Sequence, residues 1–262
     1  MAPRQPVFFI GHGSPMNAIE ENTFTAAWKK IGKNLHVPQA VVCVSAHWVT
    51  RGTEITAHPQ PKTIHDFGGF PPALYEVEYP APGSFEIAQL VQETLKPQIN
   101  ARLTDAWGLD HGAWSILMHI FPDAKIPVLQ LSIDATLAPQ AYFDMGTRLK
   151  KLRAENILFI GSGNIVHNLR LVDWTRFAEK DYALPWARKA DRRIVELIRS
   201  RNFLPLIQFQ NLGEEARLAI NSAEHYVPLL YVLGLSDEDD TLSFFNEEAV
   251  AGALTMTSVR FG

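Results

Sequence analysis

Four short apolar runs constrain this chain more than any other feature of its sequence: Val7 to Ile10, Ala40 to Val44, Val128 to Ile133 and Ile157 to Ile160. Each is rich in β-branched or aromatic residues, and each ends in Gly, Ser or Asp. Runs of this length bounded by turn residues read as buried strands. Between them, Phe85 to Leu95, Ala113 to Ile120, Ala141 to Leu152 and Ala187 to Ile198 repeat apolar residues every three to four positions, the spacing of helices with one buried face. Strand and helix alternate, which predicts an α/β fold whose sheet is partly parallel and covered by helices on both faces. At 262 residues, with no internal repeat and no low-complexity tract, one catalytic-size domain over 1–262 is expected.

No segment approaches the ~20 uninterrupted apolar residues of a membrane span, and Val7 to Ile10 is too short for the apolar core of a signal peptide. A cytoplasmic protein that neither spans nor binds membranes is expected. Cys43 is the single cysteine, so an intrachain disulfide and a cysteine-based zinc cluster are excluded, and any metal must rest on His and carboxylate ligands. A net charge of -4 with no Lys/Arg block longer than two residues leaves no footprint for nucleic acid, which favours a small-molecule partner.

Between His58 and Pro82 lie six prolines (Pro59, Pro61, Pro71, Pro72, Pro80, Pro82) and the pair Gly68 and Gly69. Regular structure there should be limited. Its aromatics, Phe67, Phe70, Tyr75 and Tyr79, argue for a segment packed over the body as the roof of a pocket. The acidic run Asp237 to Asp240 reads as a solvated turn after Gly234.

In α/β sheets ligands bind beyond the carboxyl ends of the strands, so a polar residue that directly follows an apolar strand is the first candidate for chemistry. Three of nine histidines meet that test: His12 in Gly11-His12-Gly13-Ser14-Pro15, His47 in Ser45-Ala46-His47-Trp48, and His167 beyond Gly161-Ser162-Gly163-Asn164, read as a small-residue turn that lets the imidazole face a cavity. Any one alone is equally well a hydrogen-bonded structural histidine. Three at corresponding strand ends point to a metal site assembled by the fold, since neutral imidazole is the commonest metal ligand. His225, at the head of an apolar helical stretch running to Leu235, could complete the shell, and so could Glu224 beside it. His111, just before a helix, either caps that helix or faces substrate. His65 would touch substrate if its loop is a lid, although a surface role is the simpler reading; His36, His58 and His119 have no such context. Gly161-Ser162-Gly163 lacks the third glycine of a dinucleotide loop, since Val166 stands there, and Gly11-His12-Gly13-Ser14 has neither the spacing of a nucleophile elbow nor the Lys of a P-loop.

Taken in order, Gly11-His12-Gly13-Ser14-Pro15, Ser45-Ala46-His47-Trp48, Leu109-Asp110-His111-Gly112, Gly161-Ser162-Gly163 with His167-Asn168, and Glu224-His225-Tyr226 resemble the class III, LigB-type extradiol ring-cleavage dioxygenases, and within them the 4,5-DOPA extradiol dioxygenases of bacteria and plants. The resemblance runs from residue 7 to about 260. It implies a single α/β domain and non-haem metal chemistry in which O2 is inserted beside the two hydroxyls of a catechol. His12 and His47 match the family's two ligand histidines. The third family ligand is a glutamate in the protocatechuate branch, but counting back from Gly234 places His225 there and Glu224 one residue off. His167 matches the family's general base or acid, which in zinc-loaded members also binds the metal. An all-histidine shell favours Zn2+, whereas ring cleavage calls for Fe2+; both hold if the protein acquires zinc on isolation. His111 would sit over the substrate oxygens, and Trp48, Phe67, Phe70 and Tyr226 would wall the pocket. The rival readings are a zinc hydrolase on the same shell, with His167 or Glu224 as base, and a small-molecule binding protein without catalysis.

Overall fold

A computed structural model describes residues 4–262. Its central sheet has six strands: β1 (Val7–Gly11), β2 (Ala40–Ser45), β3 (Val128–Gln130), β4 (Ile157–Gly163), β5 (Leu242–Phe245) and β6 (Ser258–Phe261), in the order β3-β2-β4-β1-β6-β5. The first four run parallel, and β6 and β5 continue the sheet antiparallel. The mixed, mostly parallel α/β sheet is the one that the alternation of apolar runs and helical spacing predicts.

Both faces of these strands are apolar, so both demand cover. On one face Val7, Phe9, Val42, Val44, Ile157 and Phe159 pack with α2 (Phe85–Leu95), α4 (Pro139–Leu149), α5 (Pro185–Arg199) and α6 (Val227–Leu235). On the other, Phe8, Ile10, Val41, Cys43, Leu158 and Ile160 meet α1 (Thr23–Asn34) and α3 (His111–Ile120). Helix α6 is buried at every position, and accordingly its sequence shows no polar stripe. Among the described residues no helix is long and apolar enough to cross a membrane.

Three local readings of the sequence are corrected. The run Val128 to Ile133 is broken: β3 ends at Gln130, and Ile133–Asp134 forms a separate two-residue strand beside Val49–Thr50. The side chains cause this, because Gln130 turns inward to bind Asp110 and Ser132 binds Thr50 and the Glu54 amide. Gly161-Ser162-Gly163 is the end of strand β4, not a turn. A Cβ on Gly161 would strike the Pro228 carbonyl at 2.5 Å and one on Gly163 would overlap the His225 carbonyl, so these glycines let the first turn of α6 and the residues before it lie directly on the strand. Finally, the acidic run is not a simple solvated turn. Asp240 is buried and takes a two-pronged contact from the buried Arg153 guanidinium (2.6 and 2.8 Å), so its charge is matched.

Candidate metal centre

Strand register delivers the histidines to one place. Gly11 lies opposite Gly163, and Ser45 opposite Ser162. His12 and His47 therefore leave the sheet at the same level; the His12 amide still donates to Gly163 O (3.0 Å) and the Ala46 amide to Ser162 O (3.0 Å). His225 is brought over β4 by the Asn164 amide, which donates to the His225 carbonyl (2.9 Å). The His167 amide donates to Ala219 O (3.0 Å), which sets its ring beside that of His225. Asp110 caps α3, accepting from the Ala113 amide (3.2 Å) while Ser45 Oγ and Gln130 Nε2 each donate to it at 2.6 Å. Of the two readings for His111, capping thus belongs to its neighbour, and His111 itself lines the cavity.

Hydrogen bonds behind the rings assign their tautomers. Ser162 Oγ donates to Gly112 O (2.5 Å), so it accepts from His12 Nδ1 (2.9 Å), which must carry the proton. Asp66 Oδ1 accepts from the His111 amide (2.9 Å), and Oδ2 lies 3.0 Å from His111 Nδ1 and 3.3 Å from His47 Nδ1. Both rings therefore keep Nδ1–H toward the carboxylate. The consequence is that His12 Nε2 and His47 Nε2, only 3.1 Å apart, present lone pairs to each other. Such a pair needs a proton or a cation between its members.

A proton is disfavoured. Burial pushes the imidazoles of His12, His47, His167 and His225 below their ordinary value, and neighbouring histidines push each further, with His47 reaching about 2 and His167 about 3. For Asp66 burial acts upward, but the hydrogen bonds and charge of His111 outweigh it and hold the carboxyl low. The site at neutral pH is thus a set of neutral imidazoles backed by one carboxylate, a donor set made for a transition metal or zinc.

Geometry tests which rings can share an ion. An imidazole bound at ~2.0–2.1 Å has its ring centre ~3.2 Å from the metal, so two ligands at a tetrahedral angle have centres ~5.2 Å apart. The centres of His12, His47 and His225 form a triangle of 5.0, 5.3 and 5.1 Å. By nitrogen distance the converging set is instead His12, His47 and His111, one nitrogen of each lying within 4.8 Å of the others, and His225 is not in that set. The His111 ring, however, is 3.9 Å from that of His47, too close for two ligands of one tetrahedral ion. His167 lies flat on His225, with centres 3.5 Å apart and planes 5° apart, which likewise prevents both from aiming in-plane at the same atom. The Nδ1 of His225 has no aligned hydrogen-bond partner; Glu224 Oε1 stands 3.5 Å behind it and accepts from Ser222 Oγ instead.

A cavity of about 930 Å³ opens over the cluster, lined by all five histidines and Asp66. The loop from His58 to Pro82 reaches it with Asp66, Phe67 and Phe70, and Phe67 stands 5.6 Å from the His111 ring. Three residues expected at substrate do not line it. Trp48 is buried and stacks on Trp107, with planes 2° apart. Tyr226 is buried, with its hydroxyl donating to Leu206 O (3.1 Å). His65 is held by the Val77 carbonyl (3.0 Å) and packs on Trp114. Each follows or precedes a site residue by one position, and its side chain turns away from the cavity into the packing just described. Asp66 and Ser162, by contrast, were not singled out from the sequence. Only the placement of Asp66 one residue after His65, and of Ser162 inside a motif, hinted at them.

Comparison with known proteins identifies the family. Residues 6–262 match the family model described as the catalytic LigB subunit of aromatic ring-opening dioxygenase. The chain is 45% identical over 262 residues to the 4,5-DOPA dioxygenase extradiol of Escherichia coli (strain K12), covering 99% of this chain and 95% of that protein. It is 32% identical to the 4,5-DOPA dioxygenase extradiol of Beta vulgaris, over 97% and 95% of the two chains. A crystal structure of an uncharacterized protein from Escherichia coli K12 superposes with a TM-score of 0.84 at 40% identity, covering 99% of this chain and 100% of the other.

Proposed function

Because this chain belongs to the LigB family of aromatic ring-opening dioxygenases, we propose that it opens a catechol of the L-DOPA type by extradiol 4,5-cleavage with O2, at a metal held by His12, His47 and His225. The observation that carries the ligand set is the 3.1 Å approach of two unprotonated Nε2 atoms, closed into a near-equilateral triangle by His225. Glu224 does not line the cavity whereas His225 does, which supports the histidine over the carboxylate as third ligand. Fe2+ is the catalytic metal in this reading, and Zn2+ the ion that an all-imidazole shell retains on isolation. Bound there, the iron would supply the electrophilic centre that makes the catechol acidic and gathers O2 beside it.

The chain's own residues do the rest. His167 enters as a neutral imidazole and accepts the catechol proton, then returns it as the ring opens, a role suited to a base stacked beside a ligand rather than bound as one. His111, fixed through Nδ1 by Asp66, directs its other nitrogen toward the substrate oxygens. Phe67 and Phe70 cover the ring and exclude water. We place this activity in the cytoplasm, with residues 1–262 acting as one catalytic unit.

The hydrolytic reading has no support from the relatives, which are ring-opening dioxygenases. Iron-reconstituted protein incubated with a panel of catechols should develop the coloured ring-opened semialdehyde only under O2. Turnover at the same rate in anaerobic buffer would refute oxygenase chemistry, and binding without product under O2 would leave a binding protein.

A further inference from the structure

The cavity over the histidines is larger than one catechol amino acid requires. Pockets of ~300–1,000 Å³ hold drug-sized ligands, and this one, at about 930 Å³, lies near the top of that range. Part of its wall is the segment that follows His167. Leu169 stands two residues beyond that histidine, and Trp174 and Phe177 continue the wall. These side chains are unusually open to water: Trp174 is 64% and Phe177 45% exposed.

Exposed apolar groups of this size gathered at a pocket rim mark a surface that something covers. Here they are not the floppy tip of a loop. The Asp173 amide donates to Ala251 O (2.9 Å) and the Leu184 amide to Gly252 O (2.8 Å), which pins both ends of the segment. Between the pins, Arg176 forms a two-pronged contact with Glu179 (2.7 and 2.6 Å) and lies 3.5 Å over the Tyr182 ring. The bracing sets Trp174 and Phe177 nearly parallel, with planes 18° apart and centres 6.1 Å apart, as a stacked aromatic pair on the cavity wall. Among the described residues, Lys180 is the sole Lys or Arg lining the cavity, so the wall offers little to a strongly anionic tail.

We infer that Trp174 and Phe177 form an aromatic subsite, and that the site takes, besides a catechol of the L-DOPA type, catechols bearing a second flat apolar group on a short linker more tightly than simple alkylcatechols. This rests on the ring-cleavage reading above and specifies the substrate for the same site. The catechol sits at the histidines, its substituent runs past His167 and Leu169, and the second ring lies against Trp174 and Phe177. Burying a phenyl-sized group against such a pair is worth ~10–100-fold in affinity.

The test compares 4-methylcatechol with 4-(2-phenylethyl)catechol on the iron-reconstituted protein and on the double variant Trp174→Ala/Phe177→Ala. Ring opening is followed under O2, and binding is measured anaerobically by calorimetry. The unaltered protein should favour the longer catechol by ~10-fold or more in kcat/KM and in affinity, and the double variant should lose most of that preference. Equal kcat/KM and affinity for the two probes in the unaltered protein would overturn the subsite. So would an equal loss for both probes in the variant, including one that accompanies a changed oligomeric state on gel filtration. If neither probe is opened yet the longer one still binds more tightly through Trp174 and Phe177, the ring-cleavage reading fails while the subsite stands.

Discussion

Removing the metal and lowering the pH should unfold this protein in a window set by its histidines. In the metal-free fold burial holds His47 at about 2 and His167 at about 3, whereas the unfolded chain titrates them near 6.5. The unfolded state therefore binds more protons below ~6.5, so stability is full above that pH and falls as pH drops toward the folded values. At pH 5 each of the two sites contributes ~2 kcal/mol of destabilisation relative to pH 7, or ~4 kcal/mol for the pair, a large share of the ~5–15 kcal/mol stability of a typical domain. His12 and His225 add to the same slope, because both are also shifted down. The assay is urea unfolding of chelator-treated protein at pH 7, 6, 5.5 and 5, above the range where most carboxylates titrate. Saturating Zn2+ should raise stability at each pH without altering the slope, since the ligands are already neutral in the fold. His47→Gln should flatten the slope by about one proton. A metal-free protein whose stability at pH 5 stays within ~1 kcal/mol of its pH 7 value would refute the reasoning.

Ser162→Ala removes the acceptor that fixes the His12 tautomer, and should weaken metal binding ~10–100-fold in a chelator competition while leaving the fold intact. Asp66→Asn replaces the carboxylate shared by His47 and His111, and the same titration should show metal affinity reduced ~10-fold or more, with a larger fall in catechol turnover. His167→Gln should retain its iron, measured by elemental analysis, while turnover drops ~10²–10⁴-fold; loss of iron would instead make His167 a ligand.

Legibility of the fold and site from sequence followed a physical divide. Strand ends were readable because an apolar run that stops at Gly or Ser reports both burial and exit, and in a parallel sheet such exits share one edge; His12 and His47 were found that way. His225 has no strand before it, and preferring it to Glu224 needed the resemblance. Contacts between distant segments left no local trace. Asp66 looks like any polar residue of a proline-rich loop until the fold sets it against two histidines, and the partner of Asp240 lies 87 residues away. Aromatic identity marked Trp48 and Tyr226 as pocket walls, but the direction of a side chain is set by packing, and both turn into the core.

Strand β6 sits between β1 and β5, so Val7, Phe8 and Phe9 pair with Phe261, Arg260 and Val259 across almost the whole chain. During synthesis, β1 emerges from the ribosome first yet cannot acquire this neighbour until residue 261 has been made. Every partial chain consequently carries an apolar strand with an open edge, the kind of template on which nascent proteins aggregate. The strand that presents His12 is therefore made before its neighbour and enclosed only after it, so the edge beside the metal site stays an open apolar template until β6 pairs with it.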